Sequence, residues 1–535
     1  MKKIDLGVVV TTLIIVTISC SLAFFAARVV GEPKDINLVA KNVAITFNDT
    51  SIIANGVVSP GWNTTKTFTI TNNSKEEYKY NISIKDLINT FVTEGYLQYK
   101  ITSTNGYNMT EYKDIPKSSV ATDTILAYSV SIPVGVTQSY TIEFKYANDE
   151  SVDQSEDMGK VLKGTLFITE GTEPTLLSQL LADKSTVLTR TDFSSVLTTN
   201  NTKTLYTSTE NGTTVYYFAG NATDNWVKFG SVSSDIVRGY GTSEFDGMYE
   251  DYNTMEECKS GTLMPQSRTY DLNQNCTYLQ HGGDSIYWRI IRTNSDGGVR
   301  LLYHGTSTTA ENAFIGTSKF NSSSDNIAYV SYMYGSLGSI PNARTNQTNS
   351  STIKTTIDNW YAKNMTSYTK YLSTTAVYCN DRSTSDNTYF GAYTRLYTNK
   401  TPKYDCEATE DKFTVDASTG NGKLTYPIAL MTADEISFAG GLWATNAPTW
   451  YYNSANGSST GSTWWWLLSP DYWDGADAYV FGVSGSSNPG RLSDNGVYST
   501  RGVRPAVSLK SCVKTSGGDG SASAPYTIEE TTSGC

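Results

Sequence analysis

The chain has 535 residues, a charged fraction of 17%, an aromatic fraction of 12% that includes 37 tyrosines, and a formal net charge of −11. This balance excludes a nucleic-acid partner, which needs a basic surface to displace counterions, and adhesion to anionic lipid by charge alone. The abundance of aromatic and β-branched residues among Gly, Ser, Thr and Asn excludes disorder and points to a β-rich multidomain protein.

Lys2 and Lys3 precede an uncharged apolar run from Leu6 to Ala27. At helical rise this run reaches across a bilayer core, so residues 1–31 read as a signal anchor with an N-terminal transmembrane helix. The basic start predicts N-in, C-out insertion. The expected location is the cell membrane, single-pass through residues 6–27, with the C-terminal part extracellular. The rival is a cleaved signal peptide, for which Ser21 and Ala23 suit the peptidase. Cys20 reads as membrane-buried, because Thr17-Ile18-Ser19-Cys20 lacks the aliphatic residue of a lipoprotein box.

Residues 32–172 read as one stalk domain, in which apolar residues recur with period two from about Ile36 to Thr169. Phe68 and Ile70, Tyr78 to Ile84, Tyr128 to Ile132, and Tyr140 to Tyr146 each supply one apolar face, with turn clusters such as Asn72-Asn73-Ser74 between them. Short strands with one apolar face each predict a β-sandwich. Pro60-Gly61 leading into a Thr-rich strand that ends in Thr-Asn resembles the camelysin and biofilm-fibre type of bacterial sandwich. Gly171-Thr172-Glu173-Pro174 marks a boundary.

In residues 173–535 a short helix is predicted from Leu176 to Ala182. A hairpin follows, Thr204–Thr207 and Thr213–Phe218, turning at Glu210-Asn211-Gly212. Residues 231–285 read as an irregular insertion. Ile286, Trp288 and Ile290 share one strand face, and Val299, Leu301 and Tyr303 share the next. Ile353, Ile357, Trp360 and Tyr361 have helical spacing over 352–365. Ile428–Met431 reads as a buried strand, and Thr432 with Glu435 has the capping-box pattern of a helix start. Residues 516–523 are Gly/Ser-rich and read as a loop.

Beyond the apolar run lie Cys258, Cys276, Cys379, Cys406, Cys512 and Cys535. An even number in an exported chain predicts disulfides, and sequence neighbours suggest 258–276, 379–406 and 512–535, although six cysteines allow fifteen connectivities. The spacings match no zinc motif, so no metal site is assigned. Neither His281 nor His304 sits in a nucleophile motif, and no cofactor or catalytic residue is expected.

Several ordered stretches resemble a widespread bacterial and phage surface module. They are Tyr287-Trp288-Arg289-Ile290-Ile291-Arg292 with Gly298-Val299-Arg300-Leu301, the helix from Ile353 to Tyr361, the Cys379-Asn380-Asp381-Arg382 loop closed by Cys406, Leu430 to Glu435, Trp465-Trp466-Leu467-Leu468-Ser469-Pro470, and Gly502-Val503-Arg504-Pro505-Ala506. The match spans residues 175–530, with Leu468 where the module usually has Arg. The Trp-rich and Gly-x-Arg-Pro motifs are similar to those of the formylglycine-generating-enzyme and C-type-lectin-like fold. The resemblance implies an irregular α+β C-type-lectin-like module whose loops display a binding surface.

Trp464 and Trp466 share one strand face and Trp465 the other, which favours core packing over a sugar platform. Arg504 is expected to tie loop carbonyls. Asp471, Asp474 and Asp477 with Gly475 form an acidic turn whose spacing is not a helix-loop-helix calcium loop. Asp471 to Arg501 has the Tyr, Ser, Gly and Asn composition of antibody loops. Tyr472, Trp473, Asp474, Asp477 and Arg491 are therefore the candidate ligand-binding residues, with Tyr472 and Trp473 expected to be displayed. The chain reads as a cell-surface ligand-binding or adhesion protein for an extracellular glycan or surface protein. Alternatives are a structural subunit of a surface layer or fibre, and a divergent enzyme of the formylglycine-generating-enzyme fold.

Overall fold

The computed structural model describes residues 28–29, 36–40, 43–49 and 58–535, except 185, 200, 241–248, 261–275, 310–312 and 385. The chain divides into two units, Met1–Pro174 and Thr175–Cys535.

The expected transmembrane helix and single-pass location require correction. No helix among the described residues is long and apolar enough to cross a membrane. Leu6 to Ala27, where the sequence places that helix, lies outside the described residues. Arg28–Val29, which the sequence assigns to the anchor, instead form a strand paired in parallel with Lys163–Gly164 of the first unit.

The first unit is two sheets around one core. Four strands run in the order Arg28–Val29, Leu162–Glu170, Tyr78–Asn89, Ser118–Ile132. Six run in the order Ile36–Ala40, Val43–Asp49, Asn63–Asn72, Thr137–Tyr146, Leu97–Ser103, Lys113–Asp114. Phe68, Ile70, Ile101, Ile142 and Phe144 of the six-stranded sheet and Tyr80, Ile82, Ile84, Leu166 and Ile168 of the four-stranded sheet share one buried cluster. The strict alternation of buried and accessible positions along Asn63–Asn72 and Thr137–Tyr146 is the period of a half-buried strand.

The second unit is built on a ten-stranded sheet. In it Ser285–Thr293 pairs antiparallel with Trp226–Ser231 and Val299–Tyr303, which pairs in turn with Pro505–Leu509 and so with Ile428–Leu430. All five residues of Val299–Tyr303 are buried, where the sequence pattern predicts one buried face. The sheet is covered on both sides, so Leu302 packs in the core and Arg300 is enclosed. Asn211 and Gly212 both have positive φ, 50° and 76°, the backbone that a two-residue hairpin turn requires.

Several helices begin at side-chain caps. Thr175 caps Leu176–Asp183 and Ser351 caps Thr352–Asn364. At Ala433–Phe438 the Thr432 hydroxyl accepts from the Glu435 N–H at 3.2 Å, and the Glu435 carboxylate accepts from the Thr432 N–H at 3.0 Å.

The six cysteines join as Cys258–Cys276, Cys379–Cys406 and Cys512–Cys535. Such bonds are compatible with an extracellular location. The expected irregular insertion contains a three-stranded sheet, Ile236–Tyr240, Tyr249–Tyr252 and Cys276–Gln280. The Gly/Ser-rich stretch is also more ordered than its composition suggests. Thr515–Gly517 pairs with Tyr526–Ile528, and the Gly520 carbonyl accepts from the Trp226 N–H at 2.8 Å.

Arg504 is buried beside Trp465, and its Nε and Nη1 donate to the carbonyls of Tyr303 (3.2 Å) and Tyr451 (2.5 Å). Its Nη2 lies 3.3 Å from His304 Nδ1. Burial pushes the Arg504 pKa down to about 9. Burial, with the charges of Arg504 and Arg289, holds His304 well below its usual pKa, so the ring is neutral. Arg504→Met removes all three contacts and strands two buried carbonyls. It should cost about 3 kcal/mol or more, read from denaturant unfolding of the variant against the parent.

Candidate functional site

The site forms where Trp465–Trp473 and Ala478–Val483 meet. Their register pairs Pro470 with Val480 and Trp473 with Ala478, so three steps on one strand oppose two on the other. This is a β-bulge, which re-aims side chains locally. The strand runs through Pro470 to Trp473, so Tyr472 and Trp473 lie within it and not beyond it as expected. Both are half-buried, and Trp473 packs against the main core.

Tyr472 stacks on Tyr479 with centroids 4.2 Å apart and planes 6° from parallel. Thr388–Phe390 runs beside the strand, the Thr388 carbonyl accepting from the Trp473 N–H at 2.7 Å and the Asp471 carbonyl from the Phe390 N–H at 2.9 Å. This places Tyr389 6.2 Å from Tyr472. Tyr389 stacks on Tyr393 at 4.2 Å, and Tyr393 on Tyr397 at 4.9 Å. The result is a ladder of five tyrosines, exposed most at Tyr389 (41%) and Tyr397 (47%). Trp443 packs edge-on against Tyr393, Tyr397 and Phe481.

The backbone of the ladder is unusual. Gly391–Tyr393 is a single helical turn that opens into a π-helix over Thr394–Asn399. Tyr393, at the start of the π-turn, and Tyr397, within it, stack as residues four apart on one face. Arg395 fixes the turn to the core by donating to Asp434 (3.0 and 2.8 Å) and Asp381 (2.6 Å). Gly391 has no room for a side chain, since a Cβ would lie 2.3 Å from Ser383 Oγ.

Two carboxylates lie against the ladder. Asp471 is buried, and neither of its oxygens has a hydrogen-bond partner. Burial, then the charge of Asp494, raises its pKa well above the usual carboxylate range. Asp494, opposite Phe481 on the next strand, is also raised by burial, partly offset by Arg491. Tyr393 feels burial and its neighbours, and its pKa is pushed up to about 12.

Of the candidate residues, the structure gathers Tyr472, Trp473, Asp474 and Asp477 at one end of the hairpin. Asp474 Oδ1 accepts from the N–H groups of Ala476 (2.8 Å) and Asp477 (2.6 Å), and Asp477 accepts from the Ser324 hydroxyl, so this acidic turn satisfies itself. Arg491 stands at the opposite end, before Leu492, which pairs with Val483. Its guanidinium lies 5.9 Å from the Trp464 ring. Trp465 and Trp466 are buried, while Trp464 is half-buried. Among the described residues no group of three or more His, Cys, Asp or Glu could hold a metal ion. The sequence reading missed Tyr389, Tyr393, Tyr397, Trp443, Tyr479 and Asp494. The i, i+4, i+8 spacing of three tyrosines was the available signal.

No protein-family model matches the chain, and no curated protein matches it. Among solved structures, one described as "AvmM Catalyzes Macrocyclization in Alchivemycin A Biosynthesis" is similar at 10% identity over 27% of this chain and 100% of that one. Its TM-score is 0.15, a likeness that carries no argument.

The folded protein holds a proton on Asp471 to a higher pH than the unfolded chain does, so stability falls as pH rises through that window. Asp494, Tyr393 and Tyr472 are the titratable groups that interact with it. Asp471→Asn should therefore raise the melting temperature at pH 7. The gain should fade to nothing below about pH 4, where the unfolded carboxyl is itself protonated.

Proposed function

We propose that the chain is an extracellular ligand-binding protein whose Thr175–Cys535 unit takes a glycan, or a protein displayed on another surface, on the tyrosine ladder. The observation that carries this reading is a run of five neighbouring rings, Tyr389 on Tyr393 on Tyr397 and Tyr472 on Tyr479, the two stacks meeting at a tilted Tyr389–Tyr472 contact and open to solvent at Tyr389 and Tyr397. Tyrosine offers large rigid contact area with few rotors to freeze, and a hydroxyl at the tip of each ring for a polar partner. Stacking fixes the rings in advance, which lowers the ordering cost of binding. The resemblance of residues 175–530 to a surface module of the C-type-lectin-like fold supports the same reading, as do three disulfides suited to an oxidising compartment.

The test is a screen of the purified protein against immobilised glycans and surface proteins, followed by titration of the hits. Tyr389→Ala should weaken a ladder ligand by about 2 kcal/mol while costing the fold less than a core substitution does, because that residue is 41% exposed and lies outside the buried cluster. Trp473→Ala should instead destabilise the fold by about 3 kcal/mol, because its indole supports the core. Concentration-dependent assembly of the chain with no saturable ligand would overturn the binding reading in favour of a layer or fibre subunit.

A further inference from the structure

A second surface cluster stands at the end of the hairpin away from the acidic turn. Leu492–Gly496 pairs antiparallel with Ala478–Val483, so alternate residues of the strand point to opposite faces. Leu492 packs into the main core, and Asp494 shares its face. Ser493 and Asn495 take the other face, which Arg491 continues one step before the strand. Trp464, half-buried, directly precedes Trp465, which pairs with Val483. The Arg491 guanidinium lies 5.9 Å from the Trp464 ring, and the Arg501 guanidinium 5.7 Å from the same ring. Three separate stretches of chain thus set two cations against one indole.

The charges of this pair are not matched from within. Elsewhere in the unit Arg292, Arg300, Arg382 and Arg395 each meet a carboxylate. Arg501 meets only neutral groups. Its Nε and Nη2 donate to Asn495 Oδ1 at 3.0 and 2.8 Å, and its Nη1 to the Thr500 carbonyl at 3.2 Å. Burial lowers its pKa, and no neighbouring acid offsets that. A guanidinium has more donors than these bonds use, so Nη1 and Nη2 each keep an N–H. Among the described residues the Arg491 side chain makes no hydrogen bond. Its Nε is enclosed without a partner, whereas Nη1 and Nη2 are not enclosed and remain open to solvent. The acid that feels Arg491 is Asp494, which strand alternation turns to the opposite face.

Two guanidiniums on one ring repel each other, and the indole face offsets only part of that. A carboxylate placed between them accepts charge-assisted hydrogen bonds from both, a guanidinium fork being matched to its two oxygens. The chain carries a net charge of −11, so a place that favours an anion stands against its overall field. The rest of the surface narrows the ligand. The turn that carries Arg491 packs against Ser462, because a Cβ on Gly485 would lie 2.1 Å from the Ser462 carbonyl. Exposed hydroxyls of Ser462 and Ser486 therefore border the indole. A bare anion would leave the indole and these hydroxyls unused. A sugar acid presents a carboxylate to the guanidiniums, ring C–H groups to the indole and hydroxyls to the serines.

We propose that Trp464, Arg491 and Arg501 form a binding site for the carboxylate of an acidic sugar, a uronic-acid or sialic-acid unit. The site lies apart from the tyrosine ladder and stands whether or not the ladder binds ligand.

The test is saturation-transfer NMR and calorimetry on the whole chain with glucuronate and N-acetylneuraminate. Glucose serves as the neutral sugar, acetate as the bare carboxylate and N-acetylglutamate as the acid of a protein side chain. At least one sugar acid should bind saturably, and about tenfold or more tighter than the three controls. Its binding should weaken as ionic strength rises. Arg491→Gln should weaken it about tenfold or more while moving the melting temperature little, because that side chain has no hydrogen bond to lose. Arg501→Gln should weaken it as well, and if that variant fails to fold without Asn495 as its partner, Arg491→Gln carries the test alone. Tyr389→Ala, a ladder variant, should leave the binding unchanged. The proposal is overturned if neither sugar acid binds, if any control binds as tightly, if salt has no effect, if binding survives Arg491→Gln, or if Tyr389→Ala abolishes it.

Discussion

In the unit from Thr175 onward, Arg289, Arg292, Arg300, Arg382 and Arg504 are all buried. Each turns its planar fork of donors onto carbonyls or carboxylates from segments far apart in sequence. Arg289 reaches Asn225, Ala222 and Asn453, and Arg382 reaches Asp411, Met333, Gln347 and Glu410. A fold with long irregular connections carries many backbone carbonyls that no strand or helix satisfies. A guanidinium is the side chain able to satisfy several of them from one point. Where a carboxylate is also enclosed, as with Glu435 between Arg292 and Arg300, the desolvation of each charge is offset by the other.

The same device produces the exposed surface. Arg395 is held by Asp381 and Asp434, and Asp434 lies in the helix that the Thr432–Glu435 box starts. That anchor fixes the π-helix on which Tyr397 stacks against Tyr393. The bulge at Asp471–Tyr472 brings Tyr472, stacked on Tyr479, beside Tyr389. A rare backbone form and a buried carboxyl without partners gather here, in the π-turn and in the proton-holding Asp471. Local rules are commonly broken at such sites when something other than stability is being served.

Much of the architecture is legible in the residues themselves. Period-two runs such as Asn63–Asn72 mark half-buried strands, Asn211-Gly212 marks a hairpin, and Thr432 with Glu435 marks a helix start, because each is a local physical preference. The disulfide partners are sequence neighbours, and Arg504 bonds to one loop carbonyl, that of Tyr451, and to the carbonyl at the strand end Tyr303. The site was harder to see. Asp471 to Asp477 was visible as a turn, but its partners come from Tyr389–Tyr397 and Trp443, whose proximity only the tertiary fold creates. The polarity of Asp474 and Asp477 suggested ligand contacts, whereas the structure uses much of it to close the turn. Composition misled in the other direction at Thr515–Gly517, where a weak strand former is held by pairing with Tyr526–Ile528.

The Glu435 pairing also bears on how the chain reaches its final state. Its two arginine partners lie more than a hundred residues earlier, and Arg292 must at the same time meet Glu210. Until those distant stretches have met, a helix start with a strong local preference presents an uncompensated acid to a forming apolar core. Closing such loops costs entropy before any contact offsets it, which places this step late and makes the larger unit slow to mature. Val299–Tyr303 pairs with Pro505–Leu509 across a still longer separation, so these charges and the sheet that encloses them come together late. Until they do, exposed strand edges are open to chaperones, proteases and one another.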